Sequence, residues 1–364
     1  MAFGLFKKKK TESPQEFQNR YFDLTISEVV EVGKDALNLV FENPGSEFTY
    51  QPGQFLTIID KVNDKKIRRA YSLCSSPAWE DKPAVTVKRV EGGLMSNHIN
   101  DAYEAGQTVE VMEPMGMFTT SYSEDQVRKI TLIAGGSGIT PLFSIMKSLL
   151  KEEPKTSIDF VYANRSEEYI IFKNELAKLS EEYQQLSLYH ILEEASDVAK
   201  YTGRPDAAMA TKIALDLSMD GNSEVFICGP QPMMDVFQDG LKSAGIEDSQ
   251  VHIESFEAGK TAPSTVSDTS EAGDESEVTI VVNGESFELT KERKIPLLEQ
   301  ALEKNIDMPY SCQSGLCTAC RGKCVEGDIS VDEVMGLSEN ELKDRYVLTC
   351  VGKALTDRVK VEIG

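Results

Sequence analysis

The chain has 364 residues, enough for two or three domains. Hydrophobic residues make up 40% and charged residues 27%, the balance of an ordinary globular protein, and no apolar run reaches the ~18 residues of a membrane span. A formal net charge of −22 argues against nucleic acid as a partner, which asks for clustered Lys and Arg, but permits steering toward a basic protein surface. The only histidines, His98, His190 and His252, are too scattered for a His-rich metal site or a His-centred triad and read as surface or packing residues.

Residues 1–17 read as a disordered arm. Lys7 to Lys10 follow Phe3, Leu5 and Phe6 instead of preceding an apolar core, so the arm is not a signal peptide. A weak membrane-surface contact through those residues is the alternative.

Residues 18–122 read as short strands. Leu24–Ile26, Ala36–Phe41, Gln54–Ile59, Ala84–Val90 and Thr108–Val111 are separated by Gly, Pro and Asn, which predicts a small antiparallel β-barrel. Three phrases carry chemistry. Arg69-Ala70-Tyr71-Ser72 offers a guanidinium for a diphosphate and an aromatic face for a ring. Gly93-Leu94-Met95-Ser96 opens a helix whose amides can hold the same pyrophosphate. Gly116-Met117-Phe118 closes the segment, and both Tyr71 and Phe118 taken alone read equally well as core aromatics.

Over residues 123–257 the pattern becomes strand–helix alternation, which predicts a doubly wound α/β domain with a parallel sheet. Lys129–Ala134 is a buried strand. Gly135-Gly136-Ser137-Gly138-Ile139-Thr140-Pro141 follows it and runs into a helix, presenting amides to a pyrophosphate. Pro141 suits a first helical turn. Ser157–Tyr162 leads to Asn164, Arg165 and Ser166, where a guanidinium would suit a 2′-phosphate. Further on, Glu224–Ile227 ends in Cys228-Gly229-Pro230, and Val251–Phe256 is the closing strand. Cys228 alone reads as a small buried thiol.

Residues 258–276 are Ser, Thr, Gly, Ala and acids, and predict a flexible acidic linker. Residues 277–364 carry two strands about Asn283-Gly284, a hairpin signal. A short helix marked by Ile295, Leu298, Ala301 and Leu302 comes next. Then Cys312, Cys317 and Cys320 fall in a C-x4-C-x2-C run with Cys350 far downstream, the plant-type [2Fe–2S] spacing. Small residues inside the loop let backbone N–H groups approach the sulfurs. A zinc site would want a second C-x2-C or C/H pair, and a disulfide framework suits a short secreted chain. Cys324 reads as a spare thiol, with ligation as the alternative. The cysteine usage implies a reducing, cytoplasmic setting.

In this order the phrases R-x-Y-S, G-x-x-S, G-x-F, G-G-x-G-I-T-P, C-G-P and the cysteine run resemble the ferredoxin–NADP reductase superfamily. Within it they match oxygenase reductase components that carry a C-terminal β-grasp (α+β) ferredoxin, and most resemble those that serve phenylacetyl-CoA epoxidases. The resemblance implies an NAD(P)H-dependent oxidoreductase with FAD (FMN the alternative), a [2Fe–2S] cluster, and NADPH (NADH the alternative). It implies Ser72 near the reactive flavin nitrogen, Thr140 near the flavin edge and Cys228 near the nicotinamide. Phe256 would cover the ring or simply pack. The implied cofactor contacts extend to Val87, Lys88 and Val90. The partner would be an oxygenase, with a fatty-acid desaturase, a Rieske hydroxylase or another redox protein as rivals. A non-catalytic electron carrier or redox sensor is the reading from another class.

Overall fold

The computed structural model describes residues 21–256, 275–282, 284–331 and 337–363. The expectations for residues 1–17, for the linker up to residue 274 and for Asn283 fall outside these.

Six strands build the first domain: β1 (Tyr21–Gly33), β2 (Ala36–Phe41), β3 (Phe55–Val62), β4 (Lys65–Ser72), β5 (Ala84–Lys88) and β6 (Thr108–Met115). They lie antiparallel in the order β4-β3-β6-β1-β2-β5, and a bridge from Leu73 to Val85 closes the barrel. Alternation along the strands turns Leu24, Ile26, Leu39, Leu56, Ile58, Val85 and Val111 inward. Helix α1 (Leu94–Ala102) adds Met95 and Ile99 to that core. No hydrophobic pattern marks β4, whose first five residues include four Lys or Arg. Pairing makes it a strand: it matches β3 from Phe55↔Ser72 to Val62↔Lys65. Asn63 and Asp64 take φ of 52° and 62°, the two positive values that the tightest hairpin turn requires.

The second domain is a six-stranded parallel sheet with β7 (Lys129–Gly135), β8 (Ser157–Asn164), β9 (Leu186–Leu192), β10 (Ala199–Thr202), β11 (Ser223–Cys228) and β12 (Val251–Glu254). Its order is β10-β9-β8-β7-β11-β12. Helices α2 (Ile139–Glu152), α3 (Lys173–Glu182), α4 (Ala207–Asp216) and α5 (Gln231–Ser243) pack on it. Strand β10 and helix α4 add to the elements expected from sequence; Asp206 caps α4 by accepting the Met209 amide at 2.8 Å. The closing strand stops at Glu254, two residues short of Phe256, because its ladder partner β11 ends where Cys228 faces Glu254. Strand order reverses at β7, so the crevice between the carboxyl ends of β7 and β11 is where such sheets bind ligands.

The third domain is a five-stranded mixed sheet in the order β14-β13-β17-β15-β16, formed by β13 (Glu275–Val282), β14 (Glu285–Glu292), β15 (Arg321–Glu326), β16 (Tyr346–Leu348) and β17 (Arg358–Ile363). Helices α6 (Leu297–Glu303) and α7 (Glu339–Lys343) complete it. Helix α6 begins after Pro296, leaving Ile295 outside, because a residue before proline disfavours the helical region. The architecture is therefore an antiparallel β-barrel, a doubly wound α/β domain and a β-grasp domain, as the sequence predicts.

Candidate redox site

A groove of about 800 Å³ runs between the barrel and the α/β domain. Lys88 and Val90 line one wall, Gly136 and Pro230 the base, and Asn164 and Arg165 the other. The glycine loop is fixed from below: the Tyr162 hydroxyl donates to the Gly136 carbonyl at 2.8 Å. Gly138 lies so close to β11 that a Cβ there would stand 2.1 Å from the Cys228 carbonyl oxygen. Thr140 turns inward and donates to the Ser137 carbonyl at 3.1 Å, with Pro141 buried in the first turn. Cys228 is fully buried, and burial pushes its thiol well up. Gly229 abuts the Gly135 backbone and the Met233 side chain.

The groove is lined by Lys88, Arg89, Arg165 and Arg204 against Asp35, Glu91 and Glu193. Burial, then the neighbouring Arg165, holds Lys88 below its ordinary pKa, a penalty that a bound phosphate would relieve. Arg204, which the sequence reading passed over, lines the same groove; no periodic signal marks it, since it follows the short strand β10. Asn164 lies beside the Tyr162 hydroxyl, yet neither its amide nitrogen nor its oxygen completes a hydrogen bond among the described residues. An unsatisfied buried amide at a strand's carboxyl end fits a ligand supplying the missing partner. Ser166 is half-buried next to exposed Arg165.

The barrel residues divide by strand alternation. Tyr71 leans on the barrel core, where burial raises its phenol, and the exposed Arg69 stands on the same side. Ala70 and Ser72 face the other way. At the start of α1, Gly93 is the cap residue and Ser96 Oγ accepts the Val90 amide at 3.2 Å. Leu94 is exposed and Met95 buried; Val87 is core. Phe118 stands apart from the groove, in the apolar core joining the two domains, edge-on to Phe226 at 5.5 Å. Phe256 is 47% exposed, so packing does not account for it. The three histidines behave as packing residues: His98 meets Asp60, His252 meets Glu224, and His190 is buried near Tyr162.

The cysteine loop brings four thiols together. Cys317 and Cys350 donate toward Cys312, pulling it down in spite of burial, and Cys350 does the same for Cys320. The amides of Ser314 and Cys317 each point at Cys312 Sγ from 3.4 Å. Gly315 at φ 74° allows the loop to turn between them. Thr349 binds the Cys320 carbonyl through both its amide and hydroxyl, which pins Cys350 beside the loop. Cys324 is directed elsewhere, to the carbonyls of Glu326 and Gly327 and to Arg345. Among the described residues no three Cys, His, Asp or Glu side chains group as ligands of one ion; a two-iron cluster asks only two thiolates of each iron. Four thiols with amides aimed at sulfur fit such a cluster.

This loop rests on the barrel. Cys312, Cys317 and Ala319 pack against Phe55, Ile59, Met112 and Met115. Glu254, the register partner of Cys228, is buried beside Cys312. Burial, then the Cys312 sulfur, pushes its carboxyl up to about 8, and its Oε2 has no partner among the described residues. Sequence reading missed Glu254, which looks like any acid at the end of a strand. The Cys228 thiol, this carboxyl and the cysteine loop thus succeed one another at one junction.

Comparison with known proteins accords with this layout. Residues 23–120 match the oxidoreductase FAD-binding domain, 132–239 the oxidoreductase NAD-binding domain, and 280–355 the 2Fe-2S iron-sulfur cluster binding domain. The ferredoxin reductase component of 3-ketosteroid-9-alpha-monooxygenase from Rhodococcus rhodochrous is 37% identical over 93% of this chain and 96% of its own length. The chain belongs to the ferredoxin reductase components of oxygenases. Another relative, a subunit of 1,2-phenylacetyl-CoA epoxidase from Escherichia coli K12, is 31% identical over 94% of this chain and 97% of its own. Phthalate dioxygenase reductase superposes with a TM-score of 0.56 at 25% identity, covering 94% of this chain and 98% of that one. As a reductase component the chain is an NAD(P)H-dependent oxidoreductase that passes electrons by way of FAD and a [2Fe–2S] cluster to an oxygenase. No helix among the described residues is long and apolar enough to cross a membrane.

Proposed function

We propose that this reductase component takes its electrons from NADPH, that Cys312, Cys317, Cys320 and Cys350 hold its cluster, and that Cys228, Thr140 and Ser72 border the hydride-transfer site. The observation that carries the reading is the junction at Glu254, which pairs in register with Cys228 at the end of β11 and lies buried beside Cys312. Arg69 and the amides at Gly93–Ser96 would hold the flavin pyrophosphate, and Tyr71 would flank the ring. Gly136, Gly138 and Pro141 would seat the nucleotide pyrophosphate. Arg165 and Arg204 would take the 2′-phosphate that distinguishes NADPH from NADH. Exposed Phe256 would lie on the flavin until the nicotinamide displaces it. When bound, FAD accepts two electrons as hydride and the cluster relays one at a time, so one NADPH oxidised supports two deliveries and releases one proton.

The acceptor is an oxygenase of the reducing compartment that seven thiols imply, the cytoplasm. Phenylacetyl-CoA epoxidase is the acceptor that the sequence pattern suggests, and the relative at 37% identity favours a steroid 9α-monooxygenase instead. Purified holoprotein is mixed with NADPH or NADH and a dye, then with each oxygenase. Turnover with NADPH and product from one oxygenase is the expected result. A preparation with no flavin band, or no turnover with either nucleotide, would sink the reading.

A further inference from the structure

Strand β4 presents two neighbouring arginines to opposite faces of the sheet. Arg69 shares a side with Tyr71. Arg68 faces the other way, toward the domain that carries the cysteine loop. Its guanidinium side chain is only 5% exposed, and Nη1 binds Asp307 Oδ1 at 2.7 Å. Lys66 reaches Asp307 Oδ2 at 3.2 Å. The Arg68 guanidinium also lies 5.5 Å from the centre of the Tyr310 ring, and Thr57 is hydrogen-bonded to Ser311 directly ahead of the ligand Cys312. These contacts join residues more than 230 positions apart in sequence.

The contact of the loop with the barrel core residues is apolar and unspecific in register: two methionines, a phenylalanine and an isoleucine. Such a surface gives adhesion without fixing orientation. A buried cation facing one carboxylate fixes orientation, because any other seating would leave the guanidinium desolvated and unpaired. Arg68 Nε lacks a hydrogen-bond partner among the described residues, and Asp307 is the one carboxylate paired with the guanidinium among them.

We propose that Arg68 is a positioning residue: through Asp307 and Tyr310 it seats the cluster loop on the flavin barrel in the orientation that passes electrons from flavin to cluster. The idea rests on the electron route proposed above, in which the cysteine loop is the outlet. It assigns no role to Arg68 in hydride transfer.

The test uses holoprotein loaded with FAD and cluster, with Asp307→Arg, the milder Asp307→Asn, and the exchanged pair Arg68→Asp/Asp307→Arg. Ferricyanide, a small oxidant that draws electrons from the flavin, reports hydride transfer by itself. Stopped-flow bleaching of the visible cluster band reports the onward step, and small-angle X-ray scattering reports how compactly the domains sit. In Asp307→Arg, ferricyanide reduction stays at the parent rate, cluster bleaching slows at least about tenfold, and the radius of gyration increases. Asp307→Asn moves both readouts the same way by less, which keeps the test alive should the arginine variant misfold. The exchanged pair recovers both. Parent-like bleaching and scattering in the single variants, or no recovery in the exchanged pair, would overturn the assignment. Loss of ferricyanide reduction in the parent protein would instead strike the electron route itself.

Discussion

Replacing Gly138 by alanine tests whether the glycine loop and the Cys-Gly-Pro turn form one nucleotide seat. Gly138 has φ −62° and ψ −7°, ordinary right-handed helical values, so alanine brings no backbone strain. Its whole cost is steric. The new Cβ would stand 2.1 Å from the Cys228 carbonyl oxygen, 2.4 Å from that carbonyl carbon and 2.6 Å from the Gly229 nitrogen. All three are backbone atoms of β11 and its turn, so no side chain can swing aside. Helix α2 cannot retreat either, since Ile139 to Leu150 are all buried. The cost should reach the top of the overpacking range, about 3 kcal/mol. At roughly 2–4 °C per kcal/mol, Tm falls by about 6–12 °C. The loop is forced away from Pro230, and KM for NADPH rises at least about tenfold, the equivalent of ~1.4 kcal/mol. Urea unfolding followed by circular dichroism gives the stability, and ferricyanide reduction gives KM. Gly221→Ala is the control: nothing lies within 4 Å of its Cβ, and the change should be neutral or slightly stabilising. A Gly138→Ala protein with parent stability and parent KM would refute the argument, because it would mean that the loop and the turn are not in contact.

Cys350→Ser should lose the visible cluster spectrum and iron, while Cys324→Ser keeps both; iron analysis decides, and the reverse pattern would transfer the fourth ligand to Cys324. Lys88 has its pKa held below 10.5 by burial and by Arg165, and a bound anion favours its charged form, so nucleotide binding should weaken as pH rises through that lowered pKa. KM for NADPH measured from neutral to alkaline pH should climb in the parent and start high but stay flat in Lys88→Met; parallel slopes would remove Lys88 from the phosphate contacts. Arg165→Ala should raise KM for NADPH about tenfold or more and that for NADH little, which steady-state kinetics with both nucleotides would show. Equal effects on the two would mean that the arginine reads the shared part of the nucleotide.

The parts legible in the sequence were those where local chemistry and chain order coincide. The cysteine run, the glycine loop and the Cys-Gly-Pro turn each combine an unusual composition with a fixed place after a strand or in a loop, and the order of the three domains follows from them. Strand β4 was legible only as the motif Arg69-Ala70-Tyr71-Ser72, because Lys65, Lys66, Arg68 and Arg69 hide its alternation and its pairing with β3 makes it a strand. In sequence Phe118 reads as either ligand contact or core, and its place against Phe226 is set by the packing of two domains, which a tripeptide cannot encode.

Glu254 and Arg68 show what sequence reading lacks here. An acid ending a strand and an arginine in a basic run both look like solvated charge, the commonest role for either. Their burial depends on where the cysteine-bearing domain comes to rest on the barrel, more than 200 residues along the chain for Arg68. Once the domain is there, the two residues gain different neighbours. Glu254 lies beside Cys228 and Cys312, and Arg68 pairs with Asp307 ahead of the cysteine loop. Strand alternation lets one short segment serve two neighbours: successive side chains of β4 face opposite sides, so Arg69 and Tyr71 lie on one side while Lys66 and Arg68 reach Asp307 from the other. Shifting β4 by one residue against β3 would exchange those sides, so the Asn63–Asp64 turn that fixes the register also fixes which arginine meets Asp307.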